Sequence, residues 1–280
     1  GLLVLGRHDR PDDFARACED LGVHPIEVEE ALQRVPILSP SAIGFAAFHG
    51  VAEDIDTDRL IQSYARTARS NGAEIITRAR VNAISRTDNG WAVTTETGET
   101  FEARMLLNAS GAWVDEIAKL AGIAPLGFVP KRRSMARIPA PGGHDISGWP
   151  MMFDANETWY AKPEAGKLIV SPAEADPTTP HDAWADDMVL AEGFARYEEY
   201  VTEPVTRVES NWAGLRTFSP DGTPVIGHAP SDPAFFWVAG QGGYGFQSGP
   251  AAARLVADLI AGRPCEMDAQ TITLLSAERY

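Results

Sequence analysis

The stretch Phe235-Phe236-Trp237-Val238-Ala239-Gly240-Gln241-Gly242-Gly243-Tyr244-Gly245-Phe246-Gln247-Ser248-Gly249-Pro250 decides how this chain is read. The apolar, aromatic-rich run Phe235–Ala239 reads as a strand. Five glycines then fall within ten residues, from Gly240 to Gly249. From Pro250 to Ile260 an apolar helical period follows, closed by Gly262. Glycine costs backbone entropy, so this density is expected where φ must be positive or where a ligand approaches the main chain. The helix beyond points unpaired N–H groups and a partial positive charge at whatever the loop holds. An electron-rich ring edge that turns anionic on reduction is stabilised in such a place. A glycine-rich turn without a ligand is the other reading, and the strand and helix flanks weigh against it.

Working outward, Leu106-Leu107-Asn108-Ala109-Ser110-Gly111-Ala112-Trp113 repeats the theme: an apolar strand end, small residues, then a helix from Val114 to Ala121 that Gly122 closes. Such a junction binds phosphates or cofactor edges, although small residues also serve tight helix–strand packing. Upstream of the glycine loop, Trp212–Phe218 reads as a strand with a turn at Pro220-Asp221-Gly222. It contains Arg216, and an unpaired guanidinium in an otherwise apolar strand is expensive, so a carboxylate partner is expected. That partner is either a structural Asp or Glu or the carboxylate of an amino-acid substrate, held bidentately. Tyr160, in Trp159-Tyr160-Ala161-Lys162-Pro163, is either a core tyrosine or a phenol offered to the same carboxylate.

The remaining pattern gives helices at 11–21, 58–70 and 185–200, and short strands at 74–77, 81–86, 91–95, 100–107 and 225–227. A hairpin joins 157–163 to 167–171. Two characters interleave. Residues 1–50 and 123–216 are strand-rich and form one expected domain; residues 51–122 and 217–265 alternate strands and helices and form another. Residues 266–280 read as a C-terminal tail. The fold class is α/β (α+β), two domains each crossed twice by the chain.

Twenty-four basic against thirty-nine acidic residues give a net charge of −15, which disfavours nucleic acid and anionic lipid and leaves a small molecule as the expected partner. Apolar stretches fall short of the roughly 20 residues that span a bilayer. Two cysteines far apart, Cys18 and Cys265, indicate neither a disulfide framework nor a zinc site and point to the cytoplasm. The six histidines are scattered singly, and no metal is expected. The start at Gly1, without Met or a signal-peptide pattern, suggests a chain cut from something longer. Oligomeric state, including a homo-oligomer, is left open by the sequence.

Taken in order, the Gly1–Arg7 strand, the Ile55-Asp56-Thr57 helix lead-in, Asn108–Trp113, the Tyr160 hairpin, Trp212–Gly227 and Gly240–Pro250 resemble the D-amino-acid oxidase superfamily of FAD-dependent oxidoreductases. The likeness is closest to glycine oxidase and related bacterial enzymes, with sarcosine oxidase a further relation. It implies an incomplete FAD-binding Rossmann-like domain interleaved with a strand-rich substrate domain, and oxidation of the Cα–N bond of a small amino acid or N-methyl amino acid. By the same resemblance the backbone of Val81 contacts the adenine side, and Ala109, Ser110, Gly111 and Trp113 line the adenosine and pyrophosphate. Gly240, Gly242, Gly243, Tyr244, Gly245 and Phe246 embrace the isoalloxazine, with Gln247 opening the helix that faces its pyrimidine edge. Arg216 falls on the substrate-carboxylate arginine and Tyr160 on the active-site tyrosine, and Tyr244 is counted with them at the substrate. The family's N-terminal G-x-G-x-x-G turn has no counterpart here, so the other implied reading is a silent fragment or subunit that needs a partner to complete the FAD site. No cysteine stands near Gly214, where monomeric sarcosine oxidases attach the flavin, so FAD is expected to be non-covalent.

Overall fold

The structure is a computed structural model that describes residues 1–280. Along the chain run β1 (Leu2–Arg7), α1 (Pro11–Leu21), β2 (His24–Ile26), α2 (Val28–Arg34), β3 (Ile43–His49) and α3 (Thr57–Ser70). Next come β4 (Val81–Thr87), β5 (Gly90–Thr95), β6 (Thr100–Ala103), β7 (Leu106–Asn108), α4 (Val114–Leu120) and β8 (Val129–Pro139). They are followed by β9 (Met151–Asp154), β10 (Tyr160–Glu164), β11 (Lys167–Ser171), α5 (Asp187–Glu198) and β12 (Ser210–Phe218). The chain ends with β13 (Val225–Ala229), β14 (Asp232–Ala239), α6 (Gly245–Ala261) and α7 (Ala269–Leu275).

The chain divides into two compact units. Unit 1 holds Gly1–Asp54, Arg132–Asp176 and Asp182–Gly214; unit 2 holds Ile55–Lys131, Pro177–His181 and Leu215–Tyr280. Two of the divisions fall inside strands, β8 after Lys131 and β12 after Gly214. Residues 266–280, read from sequence as a tail, lie in unit 2, because Ala277 is fully buried in its core.

Unit 1 is organised on a mixed sheet in the order β12-β8-β11-β10-β9-β1-β3-β2. β1 pairs antiparallel with β3, Leu3 opposite Phe48, and parallel with β9, Leu3 opposite Met152. The unbroken apolar run Leu3-Val4-Leu5 follows from burial on both faces. Alternation sends Val4 to one face, with Phe14 and Ala17 of α1, and Leu3 and Leu5 to the other, with Trp159 and Tyr197. α1 starts on Pro11 and stops where Gly22 turns left-handed, as its sequence expects.

Unit 2 contains two three-stranded sheets, β13-β14-β7 and β4-β5-β6. Its core gathers Trp91, Val114, Phe128, Phe235, Trp237 and Ala277. Three sequence expectations change here. The strand at 74–77 does not form: no strand hydrogen-bonds to it, and Ile75 and Ile76 stay 44 % and 46 % exposed. The single strand at 100–107 is two, because β6 pairs with β5 and β7 with β14 in a different sheet. The last helix begins at Gly245, not Pro250, so Pro250 lies inside it as the sixth residue. α3 forms as expected, capped by the Asp56 carboxylate accepting from Arg59 N–H at 2.9 Å, yet none of its residues is buried.

Candidate functional site

β14 and β7 run parallel, Phe235 opposite Leu106, Phe236 opposite Leu107 and Trp237 opposite Asn108. Both strands end at the same edge, so the loop after β14, Gly240–Tyr244, and the loop after β7, Ala109–Trp113, lie side by side at the carboxyl ends of neighbouring parallel strands. That edge is where open α/β sheets bind ligands.

In the first loop Gly240 and Gly242 have φ of +77° and +52°. The Gly242 N–H donates to the Thr217 carbonyl of β12 at 2.9 Å, and the Tyr244 N–H closes a turn on Gln241 at 3.0 Å. Close packing explains two glycines directly. A Cβ at Gly242 would come within 2.7 Å of the Phe218 ring, and one at Gly243 within 3.1 Å of Arg216 Nη1. The half-buried guanidinium of Arg216 is therefore seated against the main chain of the loop. Lys131 places its ammonium 4.8 Å from the centre of the Phe218 ring. Two cations thus flank this loop in a chain of net charge −15.

Gly245, Phe246 and Gln247 form the first turn of α6. Ser248 N–H is the first to find an acceptor one turn back, the Tyr244 carbonyl at 3.0 Å, so the three preceding N–H groups have no partner within the helix. The side chains of Tyr244 and Phe246 are exposed.

The second loop is held by Asn108, whose amide is 1 % exposed. Its Nδ2 donates to the Val114 carbonyl at 2.8 Å and its Oδ1 accepts from Ser110 Oγ at 2.7 Å. Gly111 follows with φ +58° and open space where a Cβ would stand. Trp113 ends the short 3₁₀ turn that leads into α4. Asn108 was legible only as part of a motif; its role as the pin shows once the amide is seen buried, because a buried amide must be satisfied.

Val81 opens β4, opposite Thr95 in the other sheet of unit 2, and α4 packs against that strand. Tyr160 belongs to unit 1: it opens β10 opposite Phe153 and Ser171, half-buried, with the Arg133 guanidinium 5.8 Å from its ring centre. Unit 2 thus brings together Arg216, the Gly240–Gln247 segment and Ala109–Trp113.

Behind the loops stand residues the sequence did not single out. The Asp115 carboxylate accepts from the N–H groups of Leu126, Gly127 and Phe128 at 2.9–3.1 Å, and the Phe128 ring lies 3.0 Å from where a Cβ at Gly240 would be. Asp221 accepts from Arg279, Tyr280, Thr223 and Ser219. The Arg279 hydrogen bond, ahead of those from Tyr280, Thr223 and Ser219, outweighs desolvation and holds this carboxyl far below the usual range.

Paired strand–loop–helix junctions and first-turn N–H groups make this the kind of α/β edge that receives anionic or electron-rich ligands. The chain belongs to the FAD-dependent oxidoreductase (DAO) family, whose description matches residues 1–259. FAD is the cofactor of that family. The residues present fit it: an open left-handed glycine at 111, unpaired amides at the start of α6, and Arg216 and Lys131 beside the glycine loop.

Among relatives, glycine oxidase of Geobacillus kaustophilus (strain HTA426) is 26 % identical over 250 residues, 88 % of this chain and 63 % of its own length. Glycine oxidase of Bacillus subtilis (strain 168) is 25 % identical over 252 residues, 86 % of this chain and 63 % of its own length. The crystal structure of glycine oxidase from Geobacillus kaustophilus superposes with a TM-score of 0.80 at 25 % identity, covering 98 % of this chain and 74 % of that one. The chain therefore spans under two thirds of the length of these two curated relatives. No helix is long and apolar enough to cross a membrane.

Proposed function

We propose that this chain forms the greater part of a flavin-dependent enzyme that oxidises the Cα–N bond of a small amino acid or N-methyl amino acid. The observation that carries this reading is the Arg216 guanidinium seated against Gly243, in the loop that leads into α6. A planar fork there suits a substrate carboxylate, and two parallel hydrogen bonds fix the orientation of Cα. Bound FAD supplies the acceptor for the hydride that leaves Cα. The first-turn amides of Gly245, Phe246 and Gln247 would stabilise negative charge on bound flavin. Gly240, Gly242 and Gly243 would let the main chain approach it, and Val81, Ala109, Ser110, Gly111 and Trp113 would serve the nucleotide half. Tyr160 and Tyr244 are assigned to the substrate. No side chain acts as general base, because the amine enters neutral and Cα gives up its hydrogen with both electrons. The resulting imine hydrolyses in water. The separated cysteines suit the cytoplasm as its place of work.

The test is titration of the chain with FAD, followed by flavin fluorescence and visible absorption, then anaerobic addition of glycine, sarcosine and small D- and L-amino acids. Saturable binding with bleaching of the oxidised flavin's visible absorption by one of these is expected. Bound flavin that no amino acid reduces would overturn the substrate class. Reoxidation in air separates an oxidase from a dehydrogenase.

A second reading is that further polypeptide completes the FAD site, and one face of unit 2 favours it. α3 carries Leu60, Ile61, Tyr64, Ala65 and Ala68 on one side with none buried; Ile61 and Tyr64 are 52 % and 49 % exposed. Ile75, Ile76 and Leu107 of the β7 edge are also exposed. An exposed apolar helix face and an open parallel edge are each features that an added strand and helix would cover. The two glycine oxidases have the length for it, since 37 % of each (100 − 63) lies outside the match. FAD binding only when such a segment is supplied would favour this reading; tight binding by the chain alone would remove it.

A further inference from the structure

The most heavily engaged cation of unit 2 lies at the far end of the sequence. Arg279, 16 % exposed, donates from Nε to Asp221 Oδ2 at 2.8 Å and from Nη1 to the Ser276 carbonyl at 2.8 Å. Its Nη2 reaches the carbonyls of Thr223 at 2.7 Å and Pro224 at 3.2 Å and Asp221 Oδ1 at 3.3 Å. Tyr280 adds its hydroxyl to Asp221 Oδ1 at 2.6 Å, and its ring lies 4.6 Å beneath the guanidinium. Ser219 Oγ joins the same carboxylate at 2.9 Å and the Thr223 carbonyl at 2.6 Å.

All of these bonds except that to Ser276 converge on one turn, 219–224, which leaves β12 just after Arg216, Thr217 and Phe218 and enters β13. The turn also supports the glycine loop. A Cβ at Gly240 would stand 3.5 Å from Pro224 Cα and 3.6 Å from Ser219 Cβ. Anchoring the end of the chain does not need this arrangement, because Ala277 is already buried in the core. The planar fork of arginine can satisfy a carboxylate and adjacent carbonyls at once; lysine cannot.

We propose that Arg279, locked onto Asp221 by Tyr280, is a positioning residue for the cofactor loop. It sets the turn 219–224 and, through it, both Gly240 and the strand end that carries Arg216. The inference rests on the proposed flavin role of that loop for its effect on FAD, but its structural arm is independent of it.

The test compares wild type with Arg279→Met, which keeps the packing of the stem, and Arg279→Lys. Amide hydrogen exchange is read in peptides covering 215–224 and 239–248, with the β5 peptide and β14 as internal references, alongside FAD affinity by fluorescence quenching. In Arg279→Met, exchange at the Gly242 and Tyr244 amides is expected to rise about 10-fold and FAD to bind about 10-fold more weakly, the loss of one or two charge-assisted hydrogen bonds. The reference strands should stay unchanged, and Arg279→Lys should recover only part of the effect. Exchange that rises equally throughout unit 2, or not at all in 239–248, would overturn the inference and leave Arg279 a plain anchor. If the arginine variants fail to fold, Tyr280→Phe removes one bond and keeps the ring, and the same local rise is required of it. Absence of FAD binding by wild type counts against the flavin reading alone, since the exchange measurement is made without FAD.

Discussion

Trp237 and Asn108 stand opposite each other in the parallel pair of β14 and β7, each three residues before a glycine of positive φ, Gly240 at +77° and Gly111 at +58°. The two loops therefore leave their strands at the same level and turn in the left-handed region at the same distance beyond it. A ligand laid across the edge meets exposed main chain from both.

If Arg216 holds a carboxylate, Arg216→Ala raises KM for amino-acid substrates by about 10- to 150-fold, the worth of a hydrogen bond to a charged group of about 1.5–3 kcal/mol. Simple amines of the same size are affected little. Steady-state kinetics on both substrate classes checks this, and equal losses refute the role.

Gly243→Ala puts a methyl group 3.1 Å from Arg216 Nη1 and shifts the guanidinium. The same KM should rise without loss of thermal stability, and adding Gly243→Ala to Arg216→Ala should cost nothing further. Gly242→Ala is different, because its φ of +52° and a methyl 2.7 Å from the Phe218 ring strain the loop itself. Calorimetry should show a lower Tm for that variant, and FAD titration a weaker affinity.

Asn108→Ala strands the buried Val114 carbonyl and removes the acceptor of the half-buried Ser110 hydroxyl. A loss of about 1–3 kcal/mol is expected, with Tm falling about 2–4 °C for each kcal/mol. A Tm unchanged within 1 °C, on that roughly scaled expectation, would contradict the pinning role.

Asp221 titrates below its ordinary value in the folded chain, so its contribution is in place above the ordinary carboxylate range, about pH 4, and is lost as pH falls through the depressed value. Denaturation of wild type and Asp221→Asn across pH should give a constant difference from neutrality down to about pH 5, narrowing only in stronger acid. A difference that vanishes already at about pH 6 would contradict the assignment.

Ile61→Glu on the open face of α3 should leave the Tm of this chain unchanged, since the side chain is 52 % exposed. In a longer protein where a strand and helix cover that face, the same change should destabilise by about 1.5–3 kcal/mol or more, the cost of losing a buried aliphatic side chain. Equal behaviour in the two would mean the face stays uncovered.

Much of this was legible in the sequence because it depends on local chemistry. Pro11 and Gly22 bound α1, Asp56 caps α3, and the glycine run between an apolar strand and a helix marked the loop at 240–245. What escaped depends on partners distant in sequence. Ala73–Thr77 has strand composition but no neighbour to pair with, and the break between Ala103 and Leu106 appears only when β6 and β7 go to different sheets. The brace from Arg279 to the 219–224 turn joins residues with no periodicity or motif in common. Arg216 is marked by its charge in an apolar strand, whereas its seat against Gly243 arises only when the chain folds.

The pairing of Phe235 with Leu106 spans 129 residues (106 to 235), and the whole of unit 1's second and third segments is made in between. On a ribosome adding about 5–20 residues each second, β7 emerges roughly 6–26 s before the strand it lies against. Its apolar edge waits through that interval while the neighbouring unit acquires its last strands. Chaperone dependence during synthesis should therefore centre on Leu106-Leu107, and the edge where β7 and β14 end side by side is among the last parts of the molecule to exist.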